Sequence, residues 1–342
     1  MNLANLSIET QNNNIHRRAS LVSNKILELI VLPTERCNFR CIYCYEDHQT
    51  GRMAQETVNG IKNLIYKRCE EKKEFKLFIS WFGGEPLIAK DIVYDISGYA
   101  TGLSRKYTNF YYEGSMTTNG YLLDIDTLNK LAESGVKRYQ ISLDGPHEIH
   151  DRSRRRADGK GTFDRIWSNL LAIRDSSLPV DVLLRLHFTP DSIKLLDTLI
   201  ENIRKEFIQD KRFSFLFKPI GRFGGDNDES INIFTSQQEL KDAIYSLGNK
   251  LFSGVTLPQI YNGNSEDNVC YASRPNSLVI RANGDVGKCT VALEDPRNKI
   301  GTLKPDGTLE LIPGRLAPWV RGIQTLDPRD LSCPKSKLPS IK

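Results

Sequence analysis

Between residues 25 and 220, six apolar, partly β-branched runs recur, and each is followed by a stretch of helical period. This alternation constrains the fold more than any other feature. A strand that passes through a helix before reaching the next strand pairs with it in parallel, so the pattern predicts βα units. The runs are KILELIVLP (25–33), KLFISWFGG (76–84), FYYEGSMTTNG (110–120), KRYQISLDG (137–145), DVLLRLHFT (181–189) and RFSFLFKPI (212–220). In the segment AQETVNGIKNLIYKRCEEK, Val58, Ile61, Leu64 and Ile65 fall on one helical face, and Cys69 reads as a structural residue of that helix. Eight units close a full barrel. Six predict an α/β fold of the open, partial (β/α)6 barrel type.

After about residue 255 the pattern changes to short strands broken by turn pairs. RANGDVGKC carries Asn283-Gly284 and KPDGTLEL carries Asp306-Gly307, and both pairs predict hairpin turns. GRFGGDNDES (221–230) predicts a loop. The expected organisation is an N-terminal extension (1–24), a partial barrel (25–235), and a linker helix with a smaller β-hairpin-rich domain (236–342).

Composition excludes several classes. The 47 basic and 42 acidic residues of the 342 leave a net charge of +5, which gives no nucleic-acid footprint. The opening MNLANLSIETQNNNIHRR lacks a signal peptide's apolar region, and no segment reaches the roughly 18 uninterrupted apolar residues of a spanning helix. A cytoplasmic protein with neither nucleic acid nor membrane as partner is expected. The seven cysteines (37, 41, 44, 69, 270, 289 and 333) are odd in number and unevenly spaced, so in a reducing compartment they read as metal ligands rather than a disulfide framework. Three of them crowd into RCNFRCIYCYED (36–47), on the loop after the first strand, where barrel enzymes keep their chemistry. Zinc would ask for a fourth ligand, and His48 lies four residues beyond Cys44.

The C-x3-C-x2-C spacing of Cys37, Cys41 and Cys44 argues against zinc, because it resembles the signature loop of the radical S-adenosylmethionine (SAM) superfamily. That resemblance implies a [4Fe-4S] cluster held by three thiolates, with the fourth iron chelated by SAM. Further matches follow in order along residues 25–220. Gly83-Gly84-Glu85 resembles the family's GGE motif at the methionine amino group, and glycines let backbone approach a ligand closely. TTNG (117–120) ends the third run, and SLDGPHEIHDRSR resembles the ribose-contacting strand end followed by an HD-x2-R element. The likeness implies Ser142 and Asp144 at the ribose and Arg154 at the methionine carboxylate, with Arg152, Arg155 and Arg156 as neighbouring alternatives. It places Tyr43 against the adenine, where ordinary aromatic packing is the competing account.

VCYASRPNSLVIRANGDVGKC, with Cys270, Gly284 and Cys289 as C-x13-G-x4-C, resembles the start of the SPASM or twitch extension that carries auxiliary iron-sulfur clusters. The chain departs from that pattern at LSCPKSKLPSIK. Cys333 is kept, but Ser336 and Lys342 stand where further thiols fall; in the alternative alignment Asp330 occupies the first position of the pair. One auxiliary cluster at most is implied.

SPASM and twitch enzymes act mostly on peptides. The resemblance therefore implies a maturase that uses a 5'-deoxyadenosyl radical to take a hydrogen atom from a ribosomally made precursor peptide, leading to a C–C or thioether crosslink or a related modification. An electron donor such as flavodoxin or ferredoxin would serve it. A sugar-alcohol dehydrogenase of twitch type and a formylglycine-type maturase remain alternatives, and a non-enzymatic metal-binding module would leave the ordered motifs unexplained. His147, Asp151, Arg185 and His187 are the acid-base candidates near the mouth. Arg185 and His187 alternate with apolar residues on the fifth run, which puts them on one face.

Overall fold

The computed structural model describes residues 22–71, 74–254 and 269–340, so most of the expected N-terminal extension, and Lys342, lie outside the described residues. Each of the six runs forms a strand: β1 (Ile26–Val31), β3 (Phe75–Trp81), β4 (Phe110–Thr118), β5 (Val136–Leu143), β7 (Asp181–Phe188) and β8 (Phe213–Pro219). They pair in parallel in that spatial order. Helices α1 (Gln55–Glu71), α2 (Lys90–Lys106), α3 (Ile125–Glu133), α4 (His147–Ser153), α5 (Phe163–Asp175), α6 (Asp197–Glu206) and α7 (Gln237–Phe252) alternate with the strands. Val58, Ile61, Leu64, Ile65 and Cys69 are all buried on α1, as the spacing requires.

The alternation of strand side chains divides the sheet into two faces. Leu27, Leu29 and Val31 of β1 and Leu77, Ile79 and Trp81 of β3 are buried in the main core with the helices. The concave face carries Thr117, Ser142, Arg185, His187 and Lys218, and its upper end is where the strand-to-helix loops meet. The sheet stays open, with β8 at one edge.

At the other edge the C-terminal segment joins the same sheet. Strand β9 (Ser277–Ile280) lies parallel to β1, and β10 (Asp285–Gly287), β11 (Gly301–Leu303) and β12 (Leu309–Leu311) follow as antiparallel neighbours, which makes ten strands. Both expected hairpin turns form. Gly284, at φ +84°, adopts the left-handed conformation the first turn needs. The segment 221–230 is a loop apart from one short 3-10 turn (Asp228–Ser230). No helix among the described residues is long and apolar enough to cross a membrane.

Candidate active site

The cysteine loop is pinned from four sides. Strand β2 (Phe39–Cys41) lies within it and pairs antiparallel with β6 (Arg154–Arg156), which puts Cys41 opposite Arg154. Nothing in the sequence pattern announced this two-stranded ribbon, since a three-residue strand of mixed polarity leaves no periodic signal. Asn38 accepts a 2.8 Å hydrogen bond from Asn119 at the end of β4. Glu85 N–H donates to the Arg36 carbonyl at 3.0 Å. Tyr45 meets Phe223 of the loop after β8 edge-on at 5.9 Å.

Gly83, Gly84 and Glu85 do this pinning differently from the sequence-based expectation. A methyl group at Gly84 would lie 2.5 Å from the Arg36 carbonyl oxygen. The close approach therefore serves the loop's own backbone rather than a ligand. The Glu85 carboxylate is fully buried and accepts from Leu87 N at 3.0 Å, Thr118 Oγ1 at 2.8 Å and Asn119 N at 2.7 Å. Burial raises its proton affinity against those three donors. Glu85 thus ties the ends of β3 and β4 beneath the loop.

Around Tyr43 the structure brings together the polar residues expected to face SAM. Tyr43 Oη donates to Asp144 Oδ1 at 3.0 Å and accepts from Arg154 Nη1 at 2.6 Å. Ser153 Oγ donates to Asp144 Oδ2 at 2.7 Å, and His187 Nδ1 lies 3.2 Å from Asp144 Oδ1. Burial would raise the Asp144 carboxyl, but the Arg154 guanidinium and His187 outweigh it and hold the group below the usual carboxylate range. His187 is pushed down to about 4 by burial despite Asp144. His150, fully buried, is likewise pushed down to about 4, and its Nδ1 accepts from Asp144 N at 3.3 Å. The cluster is one ion pair, Asp144 with Arg154, set among neutral rings. His187 is thus a buried, partnered histidine.

Other candidates fall elsewhere. Asp151 accepts from Thr162 N at 2.8 Å and Phe163 N at 2.9 Å, so its carboxylate caps the start of α5. His147 is half-exposed and sits 3.4 Å from Asp151 and 3.5 Å from Asp164. Arg155 pairs across the ribbon with Arg40, and Arg156 donates to Tyr121 and Asp158. Ser142 is buried on β5, beside Arg185 of β7.

Two observations bear on whether a cluster and SAM suit these residues. Cys37, Cys41 and Cys44 are free and partly buried, and burial raises all three thiols, Cys44 to about 11; cationic metal would relieve that penalty. Arg154 Nε is sealed from solvent with no acceptor, which leaves one edge of its guanidinium open for an anion. Among the described residues no three His, Cys, Asp or Glu groups are already drawn around one point. His48, the residue that would complete a zinc set, directs Nε2 to Cys44 Sγ at 3.6 Å.

The second cysteine group lies on the C-terminal extension. Cys270 N–H donates to the Leu331 carbonyl at 2.9 Å, which brings the segment before β9 beside Cys333. Cys270, Cys289 and Cys333 are close enough to raise one another's proton affinity, beneath the larger effect of burial at Cys270 and Cys289. Asp330 accepts from Arg321 at 3.2 Å and Lys337 at 2.9 Å, so its carboxylate is already engaged. Buried Lys288, next to Cys289, donates to the Arg274 and Ser277 carbonyls. A link that sequence reasoning missed joins the two groups: Arg281 pairs bidentately with buried Glu35, at 2.5 and 3.1 Å, across 246 positions.

Comparison with known proteins agrees with this architecture. The family model described as "Radical SAM superfamily" matches residues 31–199. The chain is 26% identical over 166 residues to a "Cysteine-type anaerobic sulfatase-maturating enzyme" of Clostridium novyi (46% of this chain, 43% of that protein). It is 36% identical over 121 residues to a "GTP 3',8-cyclase" of Campylobacter fetus (34% of each). The matches thus span less than half the length of these relatives. The solved structure "Native anSMEcpe with bound AdoMet and Cp18Cys peptide" superposes with a TM-score of 0.58 at 20% identity, covering 81% of this chain and 77% of that one.

Proposed function

Because residues 31–199 form a radical SAM domain, in a superfamily whose enzymes pair a [4Fe-4S] cluster with SAM, we propose that this enzyme modifies a ribosomally made peptide by hydrogen-atom abstraction. When bound, cluster and SAM supply a one-electron cleavage that delivers a carbon-centred radical. Cys37, Cys41 and Cys44 are the proposed cluster ligands. Arg154, with its unmatched Nε–H, is proposed to receive the SAM carboxylate. Asp144 and Ser142 would hold the ribose, and Tyr43 would stand beside the adenine. Glu85, Gly83 and Gly84 would act by fixing the height of the cysteine loop, and His187 by keeping Asp144 oriented and ionised. At the extension, Cys270, Cys289 and Cys333 are the proposed ligands of one auxiliary cluster.

The observation that carries this reading is the pairing of Cys41 with Arg154, which sets an open guanidinium edge beside three free thiols. A peptide substrate, brought by an electron donor's reducing equivalent to a crosslink or related modification, is supported by a maturase among the relatives and a peptide-bound structural neighbour. A "GTP 3',8-cyclase" among the relatives keeps a small-molecule substrate as the second reading. The test is mass-spectrometric detection of 5'-deoxyadenosine from anaerobically reconstituted protein with SAM and dithionite. Production by the intact protein and none by the Cys37→Ala, Cys41→Ala, Cys44→Ala variant is expected; none from a wild type shown to hold a reducible four-iron cluster overturns the reading.

A further inference from the structure

The concave face of the sheet holds two cations that no group in the described residues neutralises. Arg185 is on β7 and Lys218 on β8, where the register sets Arg185 beside Leu216 and His187 beside Lys218. Residues two apart on a strand share a face, so Lys218 lies one strand across and two residues further along from Arg185, about 8 Å between Cα atoms. Both long side chains reach the space between. Arg185 Nε is sealed from solvent without an acceptor, and neither residue forms an ion pair or hydrogen bond among the described residues. Burial disfavours both charges, and Arg185 adds to the penalty at Lys218. Asp144, the nearby carboxylate, is already taken by Tyr43, Ser153, His187 and Arg154. Uncompensated cations at this depth persist where a ligand brings the anion.

We propose that Arg185 and Lys218 form a subsite for a carboxylate of the substrate peptide, supplied by an acidic residue next to the modified position or by the peptide's own C-terminus. The guanidinium fork and the ammonium would converge on one carboxylate from adjacent strands. The pair lies toward β8, the open edge of the partial barrel, so an extended chain has a way in. This assignment rests on the peptide-modifying reading above.

Ligand-observed saturation-transfer NMR on reconstituted, SAM-bound protein tests it. The probes are N-acetylglutamate N-methylamide for a side-chain carboxylate, N-acetylalanine for a C-terminal one, and their uncharged amide twins. At least one carboxylate should bind about tenfold more tightly than its twin, as a charged hydrogen bond implies. The Arg185→Gln, Lys218→Gln variant should lose that preference while binding SAM as before, and Arg185→Lys, Lys218→Arg should keep it. Melting temperature should hold or rise in the double glutamine variant, because two unpaired charges have been removed. Equal binding of acids and amides by wild type, a preference that survives the glutamine substitutions, a lowered melting temperature, or loss of SAM binding would each overturn the proposal. Absence of 5'-deoxyadenosine from wild type would sink the radical reading instead, and the carboxylate preference is measured independently of it.

Discussion

Cys37, Cys41 and Cys44 sit on a single loop that several distant strand ends hold in place, whereas Cys270, Cys289 and Cys333 come from three separate segments held by few contacts. In the first group the support is dense. Asn119, Arg154, Glu85 and the Gly84 backbone all press on the loop, and most of these contacts are buried. In the second, Cys333 is exposed and follows a five-residue helix, Pro328–Ser332. The difference teaches where preorganisation lies. The first site can keep its shape without metal, while the second depends more on the metal to draw its ligands together.

The strongest way to break this comparison is to remove each cysteine group in turn. Alanine at Cys37, Cys41 and Cys44 should abolish 5'-deoxyadenosine formation and about four iron atoms per chain. Alanine at Cys270, Cys289 and Cys333 should lower iron further while SAM cleavage continues. Iron and sulfide analysis with product detection reads both, and loss of SAM cleavage from the second variant would show that the two sites are not separable.

Next in size is the latch beneath the first loop. Glu85→Ala leaves three buried donors without an acceptor, at about 1–3 kcal/mol each before any relaxation. Gly84→Ala forces a Cβ onto the Arg36 carbonyl and should cost about 1–3 kcal/mol. Asp330→Asn in the extension should leave the urea midpoint close to wild type, since its partners there are side chains at the surface. A Glu85 variant as stable as the Asp330 variant would contradict the asymmetry.

What could be read from sequence divides along the same line. The six parallel strands, α1 and both hairpin turns follow from local period and turn chemistry, which residues carry whatever their partners. The gathering of Tyr43, Asp144 and Arg154 was legible only through motif order, and His187 only through its face of β7. The β2–β6 ribbon, the Asn38–Asn119 bond and the Glu35–Arg281 pair were not legible, because each depends on which distant loops the finished sheet brings together. Glu85 was singled out correctly as a residue of the loop's floor, but its donors come from β4, and Thr118 and Asn119 have no pattern that names them as such.

Acid sensitivity should concentrate on the first region. His150 and His187 have folded values of about 4 against an ordinary 6.5. The unfolded chain therefore takes up protons first as pH falls. Stability is complete above pH 6.5 and declines between 6.5 and 4, by about 1 kcal/mol per pH unit for each histidine. The depressed Asp144 extends the loss in the same direction, below its ordinary value. Urea unfolding of cluster-free protein at pH 7 and pH 5 should show the drop, and His187→Gln should reduce it by about half. No histidine occurs beyond residue 235, so hydrogen exchange in the extension should change less over this range.

The smallest effect sharpens the comparison at the extension itself. Gly284 turns the chain from β9 into β10 at φ +84°, and its missing Cβ would meet only Thr57 Oγ1, at 3.3 Å. Gly284→Ala thus imposes backbone strain with little steric conflict, about 1 kcal/mol for an L-residue held left-handed. The strain falls on the hairpin that carries Cys289, while the first loop is reached only through Arg281 and its bidentate bond to Glu35. If the second site relies on metal to assemble, this modest strain should weaken its iron retention during dialysis against chelator, with SAM-dependent 5'-deoxyadenosine yield unchanged. Equal loss of iron from both sites would mean that the Glu35–Arg281 link couples them tightly, and that the loop's dense support does not insulate it from the hairpin.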